Sequence, residues 1–160
     1  MSDVDMFLKL DGIKGESVDD KHKDEIEIHS YSLGANQGAR PMGGVFGGAG
    51  KVSVHDINIT KVVDASTPHL LLHVCSGKAI KEGLITVRKA GDKPLEFLKI
   101  KLSDIFVSAV SNAGSGSPQL SENLTLNFSK FGVIYTPQKA DGSGGTPAEM
   151  GWDIKKNAKV

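Results

Sequence analysis

Cysteine occurs once in the 160 residues, at Cys75. No disulfide can form within the chain, which fits folding in a reducing compartment. Aromatic residues are scarce at 6%, and hydrophobic content, at 39%, is slightly low. Neither sign of charge is in excess, because 19 Lys and Arg face 19 Asp and Glu. Nothing in that balance calls for nucleic acid or an anionic membrane as a partner. No apolar run approaches 18 residues, so no membrane insertion is expected. The opening residues, from Met1 to Met6, are acidic. They lack the basic region and apolar run of a signal peptide, so no cleaved signal is expected.

What is present favours β-structure. The length suits a single domain over 1–160, with enough chain to bury a core. The 19 glycines and a recurring apolar–polar alternation point to an all-β fold. The stretch from Leu95 to Gln138 organises the rest. It reads as two long strands, Leu95–Val110 and Leu120–Tyr135, joined by the turn formers Ser111–Pro118. About 14 residues at ~3.3 Å each span about 45 Å. A domain with a radius of gyration of about 15 Å is only about 40 Å across, so the hairpin tip should project.

Both strands change phase midway. Leu98, Ile100 and Leu102 share one face, after which Ile105, Val107 and Ala109 take over. On the return, Leu124, Leu126 and Phe128 give way to Phe131, Val133 and Tyr135. A one-residue slip moves a hydrophobic set across the sheet. Such strands suit a bent barrel, or a sheet covered in part by a neighbouring subunit. The same switch is read in Asp24–Leu33, between Ile26/Ile28 and Tyr31/Leu33, and in Lys51–Val63, between Val52/Val54 and Ile57/Ile59/Val63.

The remaining segments are shorter. Val4–Leu10 alternates as a strand, and Gly15–Lys23 is a polar loop. Gly34–Gly50 holds seven glycines and an apolar tip of Met42, Val45 and Phe46. Long loops in compact domains tend to be functional, and exposed apolar tips mark contact sites. A loop folded back on its own barrel is the other reading. One helix is expected, capped by Ser66 or Thr67, with Pro68 in its first turn and Gly83 beyond its end. Its apolar stripe of Leu71, Leu72, Cys75 and Ala79, widened by Leu70 and Val74, should pack against the barrel. Leu84–Val87 reads as a short strand, and Trp152–Ile154 as a final edge strand.

No motif for catalysis survives inspection. Gly48–Lys51 resembles a phosphate loop, but Val45 and Val52 stand where a glycine and a hydroxyl are required, and the segment opens a strand. His69 and His73 have the i,i+4 spacing of a zinc clamp, without the neighbouring Glu or a third ligand. Cys75 on an apolar stripe reads as a small hydrophobe rather than a nucleophile. Glu25 and Glu27 share a strand face opposite Ile26 and Ile28, as on a solvated surface. No enzyme activity, cofactor or metal is expected.

Taken in order, several blocks resemble the Hcp family, the haemolysin-coregulated proteins of type VI secretion systems. They are Phe7–Ser17, Glu25–Ser32, Gly48–Val52, Ser66–Pro68, Cys75–Lys78, Arg88–Gly91, Gly114–Gly116, Glu122–Phe128 and Gly151–Ile154. Tyr31–Leu33 departs from the pattern, since the family often has tryptophans there.

The resemblance implies a closed or partly open antiparallel β-barrel with one flanking helix and an extended glycine-rich loop. It implies a homo-hexameric ring, stacked on rings of itself into a tube inside sheath proteins and capped by a VgrG-type spike. It also implies small effector proteins carried and protected in the lumen. The protein would leave the bacterial cytoplasm through the secretion system. On this resemblance Met42, Val45, Phe46, Gly47 and Gly48 form the ring-stacking loop. Ser115, Gly116 and Ser117 at the hairpin tip form a second tube contact, and Ser32 faces the lumen. With the chain stopping near Val160, no effector domain is expected as an extension. The rival from another class is a monomeric barrel binding a small ligand, with residues 34–50 as its lid.

Overall fold

The computed structural model describes residues 3–38 and 51–160. In chain order the elements are β1 (Val4–Leu10), β2 (Ile26–Glu27), β3 (Ser30–Ser32), β4 (Ala35–Gln37), β5 (Val52–Val54) and β6 (Ile57–Val62). Helix α1 (Thr67–Ser76) follows, then β7 (Ile80–Lys89), β8 (Leu95–Ala113) and β9 (Ser121–Asn127). The chain closes with β10 (Lys130–Tyr135), β11 (Ala148–Asp153) and β12 (Ala158–Lys159).

All pairings are antiparallel. A first wall runs β12-β11-β10-β8-β7-β1-β2, and a second runs β3-β6-β9-β8. β8 belongs to both. Its first part lies between β7 and β10, and from Phe106 onward it pairs with β9. At the opposite corner the chain itself turns from one wall into the other. Ile28 N–H donates to the Met6 carbonyl at 3.1 Å, and His29 N–H donates to the Thr60 carbonyl at 2.8 Å. The ladder is thus not closed strand to strand. The circuit is completed by the backbone between β2 and β3, giving a partly open barrel.

The expected phase changes are the corners of this barrel. Along β8 the buried set passes from Ile100 and Leu102 to Ile105 and Val107. The switch falls at Asp104, whose φ of 51° is the left-handed conformation. On the return strand, Phe128 and Ser129 separate β9 from β10. The two bends are pinned together: Ser129 Oγ lies 2.7 Å from Asp104 Oδ2, and Ser129 N–H donates to the Ser103 carbonyl at 3.0 Å. Asp24–Leu33 and Lys51–Val63, read as single strands, each divide at such a break. Ile28–His29 separates β2 from β3, and His55–Asp56 separates β5 from β6. The physical reason is a change of partner: β5 pairs with β4, whereas β6 pairs with β3 and β9.

Between the walls lies an aliphatic core that includes Leu8, Ile26, Ile57, Ile59, Ile85, Leu102, Ile105, Leu124 and Leu126, all at most 1% exposed. Side chains fill the space that a ligand-binding barrel would need. The helix corrects one expectation. Only Thr67 and Leu70 are buried on it. Leu71 and Leu72 are 39% and 62% exposed, and Cys75 is exposed as well. Leu70 and Val74, one turn apart, make the docking stripe. The helix stops at Gly77, with φ 69° and its N–H on the His73 carbonyl, rather than running toward Gly83. β7 starts at Ile80, earlier than expected, and β11 is not an edge, because β12 pairs outside it.

Candidate functional site

The barrel has two outward faces, and they differ in chemistry. Cα partners across a ladder point to the same side, so the register gives each face. On the first wall, Lys9 pairs with Leu84, Leu84 with Lys101, Thr86 with Lys99, and Ile134 with Glu149. That face is strewn with charge. On the second wall, Ser30 and Ser32 of β3 pair with Thr60 and Asn58 of β6. Asn58 and Thr60 pair in turn with Thr125 and Asn123 of β9, and Asn123 with Ser111 of β8. Among the described strand residues on this side none is charged, although Asp56, just before β6, brings a carboxylate to the end of the wall.

The uncharged groups bond to one another. Ser30 Oγ and Thr60 Oγ1 are 2.5 Å apart, and Thr125 Oγ1 donates to Asn58 Oδ1 at 2.9 Å. At the end of the wall, Asn127 Nδ2 donates to Asp56 Oδ1 at 2.9 Å. Ser32 stands on this face, exposed, opposite Asn58.

Behind the wall sits a group that strand-by-strand reading did not single out. Lys61 and Glu122 are register partners of β6 and β9, and both side chains point inward and are fully buried. Lys61 Nζ is 2.7 Å from Glu122 Oε2, 3.1 Å from Asp64 Oδ1 and 3.0 Å from the Val62 carbonyl. Thr67 Oγ1, in the first turn of α1, donates to Glu122 Oε2 at 2.6 Å. Asp64 Oδ1 accepts the Ser66 N–H at 2.9 Å. One cluster therefore ties the register of the second wall to the start of the helix. The signal was in the alternation: Lys61 follows Ile57 and Ile59 on the core phase, and Glu122 precedes Leu124 and Leu126.

A second cluster fastens the polar loop between β1 and β2 to the outside of the first wall. Arg88 on β7 holds Asp19 through two contacts, 2.9 and 2.7 Å, and Asp5 at 3.0 Å. Hydrogen bonding to Arg88 lowers the Asp19 carboxyl to about 2, against the opposing effect of burial. The same bond raises Arg88 above its ordinary range. The guanidinium lies 5.1 Å from the Phe7 ring centre, and His22 stacks on that ring at 4.3 Å. His22 Nδ1 is 3.0 Å from Glu25, and Nε2 is 3.4 Å from Glu96.

The expected site residues separate in space. Ser115, Gly116 and Ser117 form an exposed turn beyond the paired ends of β8 and β9, with Gly116 at φ 78°. β8 runs on to Ala113, so the turn is shorter than Ser111–Pro118. Met42, Val45, Phe46, Gly47 and Gly48 lie outside the described residues. His73 Nδ1 is 2.8 Å from the His69 carbonyl, one turn back. Among the described residues no group of three or more His, Cys, Asp or Glu could hold a metal ion. No described helix is long and apolar enough to cross a membrane.

The family described as "Type VI secretion system effector, Hcp" matches residues 7–135. Protein Hcp1 of Pseudomonas aeruginosa is 47% identical over 160 residues, covering 98% of this chain and 99% of its own. The crystal structure of Hcp1 from Salmonella typhimurium superposes with a TM-score of 0.83 at 35% identity, covering 99% of this chain and 100% of its own. A structure of a type six secretion system protein gives a TM-score of 0.90 at 28% identity, covering 98% and 99%.

Proposed function

The chain belongs to the Hcp family of type VI secretion tube proteins, and from that premise we propose how each face of the subunit is used. It is a structural subunit of the inner tube, and the family forms hexameric rings. In our reading residues 1–160 act as one domain, and six copies close a ring with the uncharged second wall inward and the charged first wall outward. The observation that carries this assignment is the asymmetry itself, with Ser32 on the uncharged side.

A closed ring needs two different complementary surfaces on each subunit. The apolar side chains left open supply candidates on separate elements: Leu71 and Leu72 on α1, and Tyr135 and Met150 on β10 and β11. Stacking is assigned to Met42, Val45, Phe46, Gly47 and Gly48, and to the Ser115–Ser117 tip. Sheath proteins surround the stack, a VgrG-type spike caps it, and small effector proteins ride in the lumen. The tube assembles in the bacterial cytoplasm and is exported through the secretion system. Its work is mechanical and protective rather than catalytic, with no cofactor.

The test is the solution mass by light scattering, followed by electron microscopy of the same peak. Six-subunit rings with an open centre are expected. A clean monomer at high concentration would refute the ring reading.

A further inference from the structure

The tube reading leaves His69 and His73 on α1 without a use. We propose that this pair is a surface site for a divalent transition metal ion of imidazole preference, such as Ni²⁺, Cu²⁺ or Zn²⁺. The two Nε2 atoms hold the ion and water completes its coordination. The site needs no second subunit, so it stands apart from the ring and lumen readings above. With two protein donors and open positions it is an exchangeable site, unlike a structural zinc centre, which is closed by four.

Spacing is the first observation. Four residues apart on one helix, His69 and His73 share a face with Cβ atoms about 5–6 Å apart, a spacing at which two imidazoles grip one ion. The second observation fixes a proton. His73 Nδ1 lies 2.8 Å from the His69 carbonyl oxygen. A carbonyl only accepts, so Nδ1 carries the N–H and the Nε2 lone pair of neutral His73 is left to coordinate. A metal-bound imidazole almost always has its other N–H tied in this way. The third observation is access. His69 is exposed, and its ring makes no hydrogen bond or ion pair among the described residues. Leu70 and Val74 dock a different flank of the helix on the core. Cys75, two residues beyond His73, faces elsewhere, so its thiol does not join the pair. A bound ion would bridge successive turns of a ten-residue helix and hold them together.

The experiment is titration of the whole chain with Ni²⁺ by isothermal calorimetry, an ion that leaves the exposed Cys75 thiol reduced. Saturable binding is expected, with the ring-proton NMR signals of His69 and His73 broadened by the paramagnetic ion. His69→Gln and His73→Gln should each lower the affinity by at least about tenfold, a loss that removal of even an outer partner reaches at a metal site. His55→Gln, at another exposed histidine, should leave it unchanged. Leu71→His combined with His73→Gln keeps two histidines on the helix but sets them on different faces, and should not restore binding. Amide exchange over Thr67–Ser76 should slow when Ni²⁺ is added to the unmodified protein and not to the two single variants, because an ion bound only by the folded helix stabilises it. Absence of saturable Ni²⁺ binding would overturn the proposal. So would undiminished affinity in His69→Gln or His73→Gln, loss of binding in His55→Gln, or recovery in the Leu71→His combination.

Discussion

Replacing Lys61 with Met tests whether the second wall and the helix share one buried anchor. Both Lys61 and Glu122 side chains are fully buried, and Lys61 Nζ is within 3.1 Å of two carboxylates and one carbonyl. Met matches the length and apolar stem of Lys but leaves Glu122 with only the Thr67 hydroxyl. One Glu122 oxygen, Oε1, is already buried without a partner, so nothing nearby takes up the loss. Removing one member of such a pair costs about 3–5 kcal/mol, because a buried charge is left uncompensated. At about 2–4 °C per kcal/mol for a domain of this size, melting should fall by about 6–20 °C.

Removing both charges differs in kind. Lys61→Met with Glu122→Met removes that pair's desolvation cost together with its attraction, leaves the mostly buried Asp64 without its Lys61 contact, and should recover part of the loss. Urea unfolding of the two single variants and the double variant forms a cycle whose coupling should reach about 2 kcal/mol or more, far from additive. Amide exchange at Thr67–Ser76 should be faster in the double variant than in the unmodified protein, since the Thr67 hydroxyl has lost its Glu122 acceptor. A Lys61→Met variant losing less than about 1 kcal/mol would refute the reasoning. So would a double variant as unstable as the sum of the single ones.

Other perturbations follow the same logic. The Asp19 carboxyl, held at about 2 by Arg88, sits below its ordinary 3.8. Its contribution is therefore complete above about pH 4 and is lost as pH falls toward 2. Asp19→Asn should flatten that part of the acid unfolding profile followed by circular dichroism, and an unchanged profile would count against the Arg88 bond. Gly15→Ala would place a methyl 2.5 Å from the Glu25 carbonyl oxygen and 2.7 Å from Ile26 Cα. Backbone must move to relieve that contact, so a loss of about 1–3 kcal/mol is expected in urea titration. Charged substitutions of both Val45 and Phe46 should weaken ring stacking in sedimentation while leaving the melting temperature in place; tubes that persist would remove the loop from that role.

The corners of the barrel could be read before the structure because each leaves a parity change in the sequence. Ile100/Leu102 against Ile105/Val107 locates one bend to within a residue of Asp104. Alternation does not say whether a bend is one strand crossing between walls or two strands with different partners. That is why Lys51–Val63 read as one strand and folds as two. The helix stripe was misjudged for a related reason. A ten-residue helix carrying Leu70, Leu71, Leu72, Val74 and Cys75 has more apolar side chains than one barrel can cover, and sequence alone does not rank them. Lys61 and Glu122 stood on core positions in plain view, but a charge in such a position reads as an exception until its opposite is found 61 residues away. The uncharged wall was legible only through Ser32, since the faces of β6 and β9 combine once their register is known.

β8 runs without interruption for 19 residues, from the first wall into the second. Its neighbours β7, β10 and β9 lie antiparallel along it, so their backbone bonds stand across its axis. A pull along β8 therefore loads many of those bonds in shear at once, whereas a pull across the barrel would open them in sequence like a zipper. The strand serves as a tie-rod between the two walls, and the clasp of Ser129 on Asp104 sits where the rod bends. A subunit threaded in this way is stiff along one direction and yielding in another, and mechanical anisotropy of that kind can be built into every ring of a stack by a single hairpin.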